Sequence, residues 1–346
     1  MKIETEKSLN NQSTMACPSV AEYFSAPESI SELTEYLAWA ESEALDVHVL
    51  GGGSNVILPR KIKGIVICPR LMGFEVFEQD EQSVCVELGA GESWHHCVER
   101  CVNLGYSGIE NLALIPGSCG AAPMQNIGAY GVEISQVFDS LSAIDIKSGK
   151  PETFSREACE FSYRDSVFKS RLRKKYVITS IRLRLDKVFS GKIEYPALRE
   201  MLHSSEQENA SNTITAKGVM RAVVNIRRSK LPDPDQIPNS GSFFKNPIVK
   251  KVEFERLNKK YAGMPFFLVD ASKVKIPAAW LIDQLGWKGK EYEGVVVHPK
   301  HALVITNPNR CSAENIISVS NAIRSEVLKV FDIQLEMEPQ LLEGLA

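Results

Sequence analysis

The chain has 346 residues, 44% of them hydrophobic and 24% charged, with 40 basic side chains against 43 acidic ones and a formal net charge of −3. That length allows two or three domains and a large buried core. The near balance of charge gives no overall attraction to polyanions, so neither nucleic acid nor an acidic membrane is expected as a partner, while a small anion in a local pocket stays open.

The opening "MKIETEKSLNNQ" is polar and mixed in charge, without the basic-then-apolar order of a secretory signal. No later stretch approaches the roughly 20 apolar residues of a membrane span, so a cytoplasmic protein is expected. From Tyr23 to about Leu185, β-rich runs alternate with helical ones. "SISELTEYLAWAESE" carries a serine cap, a glutamate three residues on and apolar residues at helical spacing. It leads into "DVHVLGGGSN", a strand running into glycines, then into "GIVICP". The strand "SVCVELGAG" precedes "ESWHHCVERCVNLG", a helix expected to end at Gly105. "KKYVITSIRLRL" alternates like a strand exposed on one face.

Between about Phe189 and Thr215 the texture turns polar in "SSEQENASNTIT", a boundary or surface insertion. A second α/β unit is expected from Ala216, with "AKGVMRAVVNIRRSK" and "AAWLIDQLGW" as helices and "EGVVVHPKHALVIT" as two strands and a turn. "SAENIISVSNAIRSEVLKVF" then reads as a long amphipathic helix and "IQLEMEP" as a final strand. The resulting boundaries are 1–75 and 76–188 for two lobes, 189–215 for the insertion, 216–330 for a substrate domain and 331–346 for a tail.

The eight cysteines (17, 68, 85, 97, 101, 119, 159, 311) form no dense disulfide framework and several lie in apolar runs, so they read as reduced thiols. "WHHCVERC" sets Cys97 and Cys101 one helical turn apart beside His95 and His96. Zinc normally needs four such ligands, and no second pair lies at a matching spacing, so buried packing is the favoured reading and no metal is assigned.

Two glycine-rich segments carry the first functional reading. In "LGGGSN" three glycines, Gly51, Gly52 and Gly53, let a ligand approach main-chain N–H groups, and Ser54 and Asn55 add donors suited to a pyrophosphate. "ENLALIPGSCGAAPMQNIGAYG" is too apolar and too rich in small residues for a solvated loop. It reads as a backbone wall against something flat and extended. Neither matches G-x-G-x-x-G or a P-loop, and "LGAGES" offers only G-x-G.

"LGGGSN", "NLALIPG", "QNIGAYG", "YRDS", "R-x-x-K-LPDP", "GSFFKNP" and "WLIDQ" occur in that order and at family spacing, so the chain closely resembles the UDP-N-acetylenolpyruvoylglucosamine reductase (MurB) family from about Ser13 to Glu338. The resemblance implies an α/β (α+β) protein: a two-lobed FAD-binding domain of the vanillyl-alcohol-oxidase/PCMH type and a separate C-terminal α/β substrate-binding domain. It implies a flavoenzyme of peptidoglycan precursor synthesis that uses noncovalent FAD and NADPH to reduce the enolpyruvyl ether of a UDP-sugar to UDP-N-acetylmuramate. "IEYPALRE" is similar to the type I branch, whose loop carries a substrate-gripping tyrosine.

Residue by residue, the resemblance assigns the flavin to Gly51, Gly52, Gly53, Ser54, Asn55, Pro116, Gly117, Ser118, Gly120, Gln125, Asn126, Gly128, Ala129 and Tyr130. It assigns substrate binding to Tyr163, Tyr195, Lys230, Asn246 and His301, the last standing where relatives often have glutamine. The implied reaction places a hydride from flavin N5 on one carbon of the enol ether, so negative charge builds on its neighbour and the carboxylate. Arg164 in "YRDS" would meet that charge with a fixed guanidinium fork; out of context, an ion pair with Asp165 is the rival reading. Ser242 in "GSFFKNP" would be the proton donor, with Gly241 permitting close approach and Phe243 and Phe244 keeping the site dry. Glu338 in "LEMEP" would act beside the arginine, although Glu336 faces the same side of a strand.

Relatives commonly follow that glutamate with valine or isoleucine and then arginine; here Pro339 and Gln340 follow, which leaves the anchoring of Glu338 open. With no second dinucleotide fold in sight, NADPH and the UDP-sugar are expected to use one cleft in turn. A monomer is expected, since no long exposed heptad pattern occurs. A flavin oxidase and a non-catalytic nucleotide-sugar binder are the alternative readings.

Overall fold

In the computed structural model of the chain, which describes residues 2–78, 80–206 and 214–342, the Ser29 hydroxyl accepts the Glu32 N–H at 3.2 Å and opens helix α1 (Ile30–Ser42). Its apolar stripe, Leu33, Tyr36, Leu37 and Ala40, is buried, as the periodicity requires. The chain divides into two units. One comprises Met1–Lys7, Ala21–Gly53 and Lys63–Ser229; the other comprises Ser8–Val20, Ser54–Ile62 and Lys230–Ala346.

The first unit contains two sheets. A four-stranded sheet runs Glu4–Ser8, Val20–Ser25, Lys61–Ile67, Val47–Val49, the last two parallel with His48 opposite Val66. The α1 stripe packs on Ile65 and Ile67. A five-stranded antiparallel sheet runs Pro151–Ser155, Phe138–Asp145, Tyr176–Asp186, Ser83–Gly89, Phe74–Glu78. Register aligns Phe154, Leu141, Ile181, Leu88 and Phe74 in one row across all five strands, a continuous apolar line whose cross-strand contacts hold the sheet together. Along Tyr176–Asp186, Ile181, Leu183 and Leu185 are buried while Arg182 and Arg184 are exposed, the alternation expected of that segment.

Helix α2 (Trp94–Asn103) buries Trp94, Cys97, Val98, Cys101 and Val102 and gives way to Gly105 at φ +90°. Cys97, Cys101 and Cys119 thus lie in this unit's core, and burial pushes the Cys101 thiol up to about 12. Helix α3 (Pro196–Glu206) occupies part of the expected polar insertion; residues 207–213 of that insertion and 343–346 of the tail lie outside the described residues. Helix α4 (Ala216–Lys230) changes the expected boundary at 216. Its Val219, Met220, Val223 and Ile226 pack in the same core as the five-stranded sheet, because an amphipathic stripe joins whichever apolar surface it meets. Of the expected lobes 1–75 and 76–188, residues 1–7, 21–53 and 63–188 fall in one unit, and 8–20 and 54–62 fall in the other.

The second unit has a four-stranded sheet in the order Asn239–Ser242, Val304–Thr306, Val295–Val297, Glu291–Tyr292 and a three-stranded sheet in the order Ile248–Lys250, Lys273–Lys275, Phe267–Leu268. Its helices are α5 (Lys251–Lys260), α6 (Ala278–Gln284) and α7 (Ala313–Phe331). Ile316, Val319, Ile323 and Val327 of α7 share a core with Leu281, Ile282, Val295 and Val297.

The tail departs from expectation. Ile333 and Leu335 are buried and Gln334 and Glu336 exposed, so the alternation is real, but the segment pairs through an isolated antiparallel bridge of Met337 with Phe244 rather than a ladder. The Leu335 carbonyl accepts instead from Arg324 Nε at 3.1 Å, and Pro339 has no N–H to give. A two-stranded ladder follows, where Gln340–Leu341 runs parallel to Val56–Ile57. Among the described residues no helix is long and apolar enough to cross a membrane.

Candidate active site

In the first unit the two glycine loops meet backbone to backbone. A Cβ at Gly52 would stand 2.7 Å from Cα of Gly117, and one at Gly51 would stand 2.7 Å from Ser118 Oγ. Only residues without a side chain can close that approach. The second loop is anchored as Gly117 O accepts the Trp94 N–H, Cys119 N–H reaches Glu92 O, and Gly120 N–H reaches Ala90 O. The weak G-x-G of "LGAGES" is explained here too, because a Cβ on Gly91 would meet the backbone of Arg70 at 2.8 Å. Its glycines serve packing. Gly52→Ala is expected to force the loops apart, lowering the urea midpoint by an amount equivalent to about 1–3 kcal/mol and yielding protein purified with less flavin, read from its absorbance.

Beyond the glycines, Cys119–Gln125 forms a 3₁₀ segment ending at Asn126, φ +46°. Asn126 is buried and both amide hydrogens are spent internally, on Glu133 Oε2 at 2.8 Å and on the Ser162 carbonyl at 3.0 Å. Expected as a flavin ligand, its side chain instead ties the "QNIGAYG" loop to the "YRDS" turn. In that turn Ser162 and Asp165 exchange backbone hydrogen bonds, and Arg164 takes φ +56°. Asp165 Oδ1 accepts the Ser166 N–H, and Arg164 Nη2 donates to Gly128 O at 2.6 Å. One arm of the guanidinium is thereby fixed on the glycine loop. Tyr130, at φ +49°, packs edge-on against Tyr195 with ring centroids 5.2 Å apart. Asn126, Tyr130 and Arg164 all hold left-handed conformations that cost non-glycine residues energy, and such strain concentrates at functional sites.

A residue without an assigned role joins them. Arg227, the first residue of "R-x-x-K-LPDP", has a buried Nε with no hydrogen-bond partner. Burial lowers its pKa, with Tyr130 opposing that shift and Arg164 adding to it. Burial likewise raises Tyr130, against the pull of Arg227. A buried guanidinium with an unpaired donor is a candidate for holding an anion. Among the described residues no group of three or more His, Cys, Asp and Glu side chains could hold a metal ion.

The second unit carries Ser54, Asn55, Lys230, Ser242, Asn246, His301 and Glu338 of the assigned residues. Asn239–Ser242 pairs with Val304–Thr306 through a register shift, with Gly241 at φ +72° and its N–H donated to Asn239 Oδ1 at 2.9 Å. A bulge of this kind re-aims the next side chain, here half-buried Ser242, while Phe243 and Phe244 are fully buried behind it. The Glu338 N–H donates to the Phe243 carbonyl at 2.9 Å, which sets Glu338 beside Ser242 along the chain. Glu336 pairs with Lys245 instead. Asn55 Nδ2 donates to Glu338 O at 3.2 Å, and Asn55 O accepts the Gln340 N–H at 3.0 Å. Backbone pairing holds the tail here without the arginine of relatives.

Asn246 Oδ1 accepts the Ala278 N–H at 2.9 Å, capping α6. Lys230 is exposed at the end of α4 and lies near His301. Burial first, then Lys230 and His298, holds His301 below the ordinary histidine range. Its Nδ1 accepts the Leu303 N–H at 3.3 Å, which requires an unprotonated Nδ1. A depressed folded-state pKa makes protonation easier in the unfolded chain, so this stability is present above the unfolded value, about 6.5, and is lost as pH falls below it. Burial lowers His298 too. His301→Gln is expected to narrow the gap between urea midpoints at about pH 7.5 and about pH 5.5; an unchanged gap would count against the assignment.

Residues 21–155 match the FAD binding domain family and residues 233–342 match the UDP-N-acetylenolpyruvoylglucosamine reductase C-terminal domain family. UDP-N-acetylenolpyruvoylglucosamine reductase of Amoebophilus asiaticus is 39% identical over 343 residues, 99% of this chain and 100% of that protein. The protein of the same name from Flavobacterium johnsoniae is 40% identical over 98% of this chain and 99% of its own length. The crystal structure of the Thermus caldophilus reductase superposes with a TM-score of 0.69 at 21% identity, covering 99% of this chain and all of that one, a likeness of fold. Matched over nearly its whole length by relatives well above 30% identity, the chain belongs to the UDP-N-acetylenolpyruvoylglucosamine reductase family.

Proposed function

We propose that this chain reduces the enolpyruvyl ether of UDP-N-acetylglucosamine enolpyruvate to UDP-N-acetylmuramate, with noncovalent FAD as cofactor and NADPH as co-substrate. Full-length likeness to named reductases supports the reaction, and the match to the FAD binding domain supports the cofactor. The observation that carries the reading is the hydrogen bond from Glu338 N–H to Phe243 O, which ties the main chain of Glu338 to the residue that follows Ser242.

The first unit's residues fit a flavin dinucleotide. Its glycine loops bring main chain without side chains together at Gly51–Gly52 and Gly117–Ser118, and the unpaired Arg227 Nε offers charge to an anionic group. When bound, FAD supplies a two-electron carrier between NADPH and the substrate double bond. Arg164, held at one arm by Gly128 O, presents a permanent positive charge to the substrate carboxylate and the enolate that develops from it. Ser242 Oγ delivers the proton to carbon, with Phe243 and Phe244 excluding water behind it. The resemblance to the family gives Glu338 a part in stabilising the enolate. Lys230, Asn246, Tyr163, Tyr195 and His301 grip the nucleotide-sugar, Lys230 as a point charge for phosphate.

The test is to purify the protein, record a flavin spectrum and follow NADPH loss with and without the enolpyruvyl UDP-sugar. Loss that ignores the sugar would overturn the reading. NADPH and the sugar are expected to react in turn, so double-reciprocal plots should run parallel, and intersecting lines would exclude that order.

A further inference from the structure

Asn111 lies in the short 3₁₀ turn Glu110–Leu112 and is 1% exposed. Its amide nitrogen donates to main-chain carbonyls of two other segments, Tyr130 O at 3.0 Å and Lys192 O at 2.8 Å. Because both partners are acceptors, only the nitrogen end of the amide can face them. One buried side chain thus ties the "QNIGAYG" loop to the stretch that leads into Tyr195.

The turn that carries Asn111 is itself fixed. Glu110 accepts the Gly108 N–H at 2.6 Å and the Ser107 hydroxyl at 3.0 Å, Trp94 Nε1 donates to Leu112 O at 2.9 Å, and the Leu114 N–H donates to His95 Nδ1 at 3.1 Å. Of the two segments it joins, the first holds its own shape: Gly128 pairs with Glu133 and Ala129 with Val132, and Asn126 grips Glu133. The second has no such ladder. Residues 189–194 form no helix or strand, and two further ties of that stretch, Ser190 to Asp186 and Lys192 Nζ to Gln136, are exposed side-chain bonds for which water competes. Downstream, Tyr195 O accepts the Leu198 and Arg199 N–H groups that open α3. Tyr195 therefore sits between a helix start and a buried amide bond made three residues earlier. Its ring meets Tyr130, the other residue that Asn111 holds, edge-on.

We infer that Asn111 is a positioning residue for the nucleotide-sugar, acting through Tyr195 by fixing that residue's segment against the "QNIGAYG" loop. The inference rests on the proposed reading of Tyr195 as a substrate grip. A buried donor on a rigid turn gives an irregular segment one posture by satisfying its carbonyl, and a segment already in place spares the ligand the ordering cost of binding.

The experiment uses the full-length protein as purified with its flavin, and the enolpyruvyl UDP-sugar as probe. Asn111→Asp keeps the shape of the side chain but replaces the donor nitrogen by an oxygen that repels both carbonyls; Asn111→Ala serves where a buried carboxylate prevents folding. Either should raise the KM for the sugar by about 5–30-fold. Flavin reduction by NADPH should be unchanged and kcat little altered, the pattern of a lost grip that ground state and transition state share. In protein without substrate, amide hydrogen exchange should quicken across 189–198 and stay constant in 128–133. In a Tyr195→Ala background the same substitution should add little to KM, because the residue through which it acts is gone. An unaltered KM, unchanged exchange across 189–198, or KM effects that multiply in the double variant would each overturn the inference. An unsubstituted protein that ignores the sugar would overturn the reaction and the substrate named here, while the exchange comparison would still accept or reject the tie between Asn111 and the Tyr195 segment.

Discussion

Ser242→Ala is expected to leave flavin reduction by NADPH intact and to slow reoxidation by the UDP-sugar by about 10²–10⁴-fold, the usual contribution of a positioned proton donor. Reduction needs no proton delivered to carbon; reoxidation does. Alanine removes one oxygen from a half-buried position whose bulge is set by Gly241 and Asn239, so the sheet edge should persist. Stopped-flow absorbance of the flavin separates the two half-reactions. If both rates match those of the unsubstituted enzyme, Ser242 is not the acid; if both collapse together, its role is binding or folding.

Arg164→Lys should cut turnover by about 10²–10³-fold while retaining charge, since an ammonium cannot hold Gly128 O with one arm and present a planar fork with the rest. The left-handed backbone at φ +56° allows a second comparison. Arg164→Gly and Arg164→Ala both delete the side chain, but glycine accepts that conformation without a Cβ penalty. The glycine variant should therefore be more stable than the alanine variant by about 1 kcal/mol, read from urea midpoints, while both are equally inactive. Recovery of turnover in either would show that the guanidinium is dispensable.

Some of this site was legible from residue types. The glycine triplet and the small-residue loop announced a close approach because no other residue permits one, and their mutual packing at Gly52 and Gly117 follows. "KKYVITSIRLRL" and the helix stripes were readable because burial on one face writes a period into the chain. Other features had no local signal. Period-two alternation places Glu336 and Glu338 on one side equally, and only Lys245 and the Phe243 carbonyl distinguish them. Arg227 was visible as a motif letter, yet its meaning lies in a buried donor without a partner. Asn126 looked like a ligand until both amide hydrogens were accounted for.

By itself, then, the amino-acid order determined the family, the α/β character and the candidate residues, because propensity, period and motif are short-range properties that a linear chain can carry. The tertiary structure decided which core received α4, why "IQLEMEP" stays extended without a ladder, and how Asn55 and Gln340 secure a tail that lacks the arginine of relatives. Those outcomes depend on partners tens to hundreds of residues away. Which distant group satisfies a given N–H, carbonyl or apolar stripe is set by the folded geometry, and no local pattern encodes it.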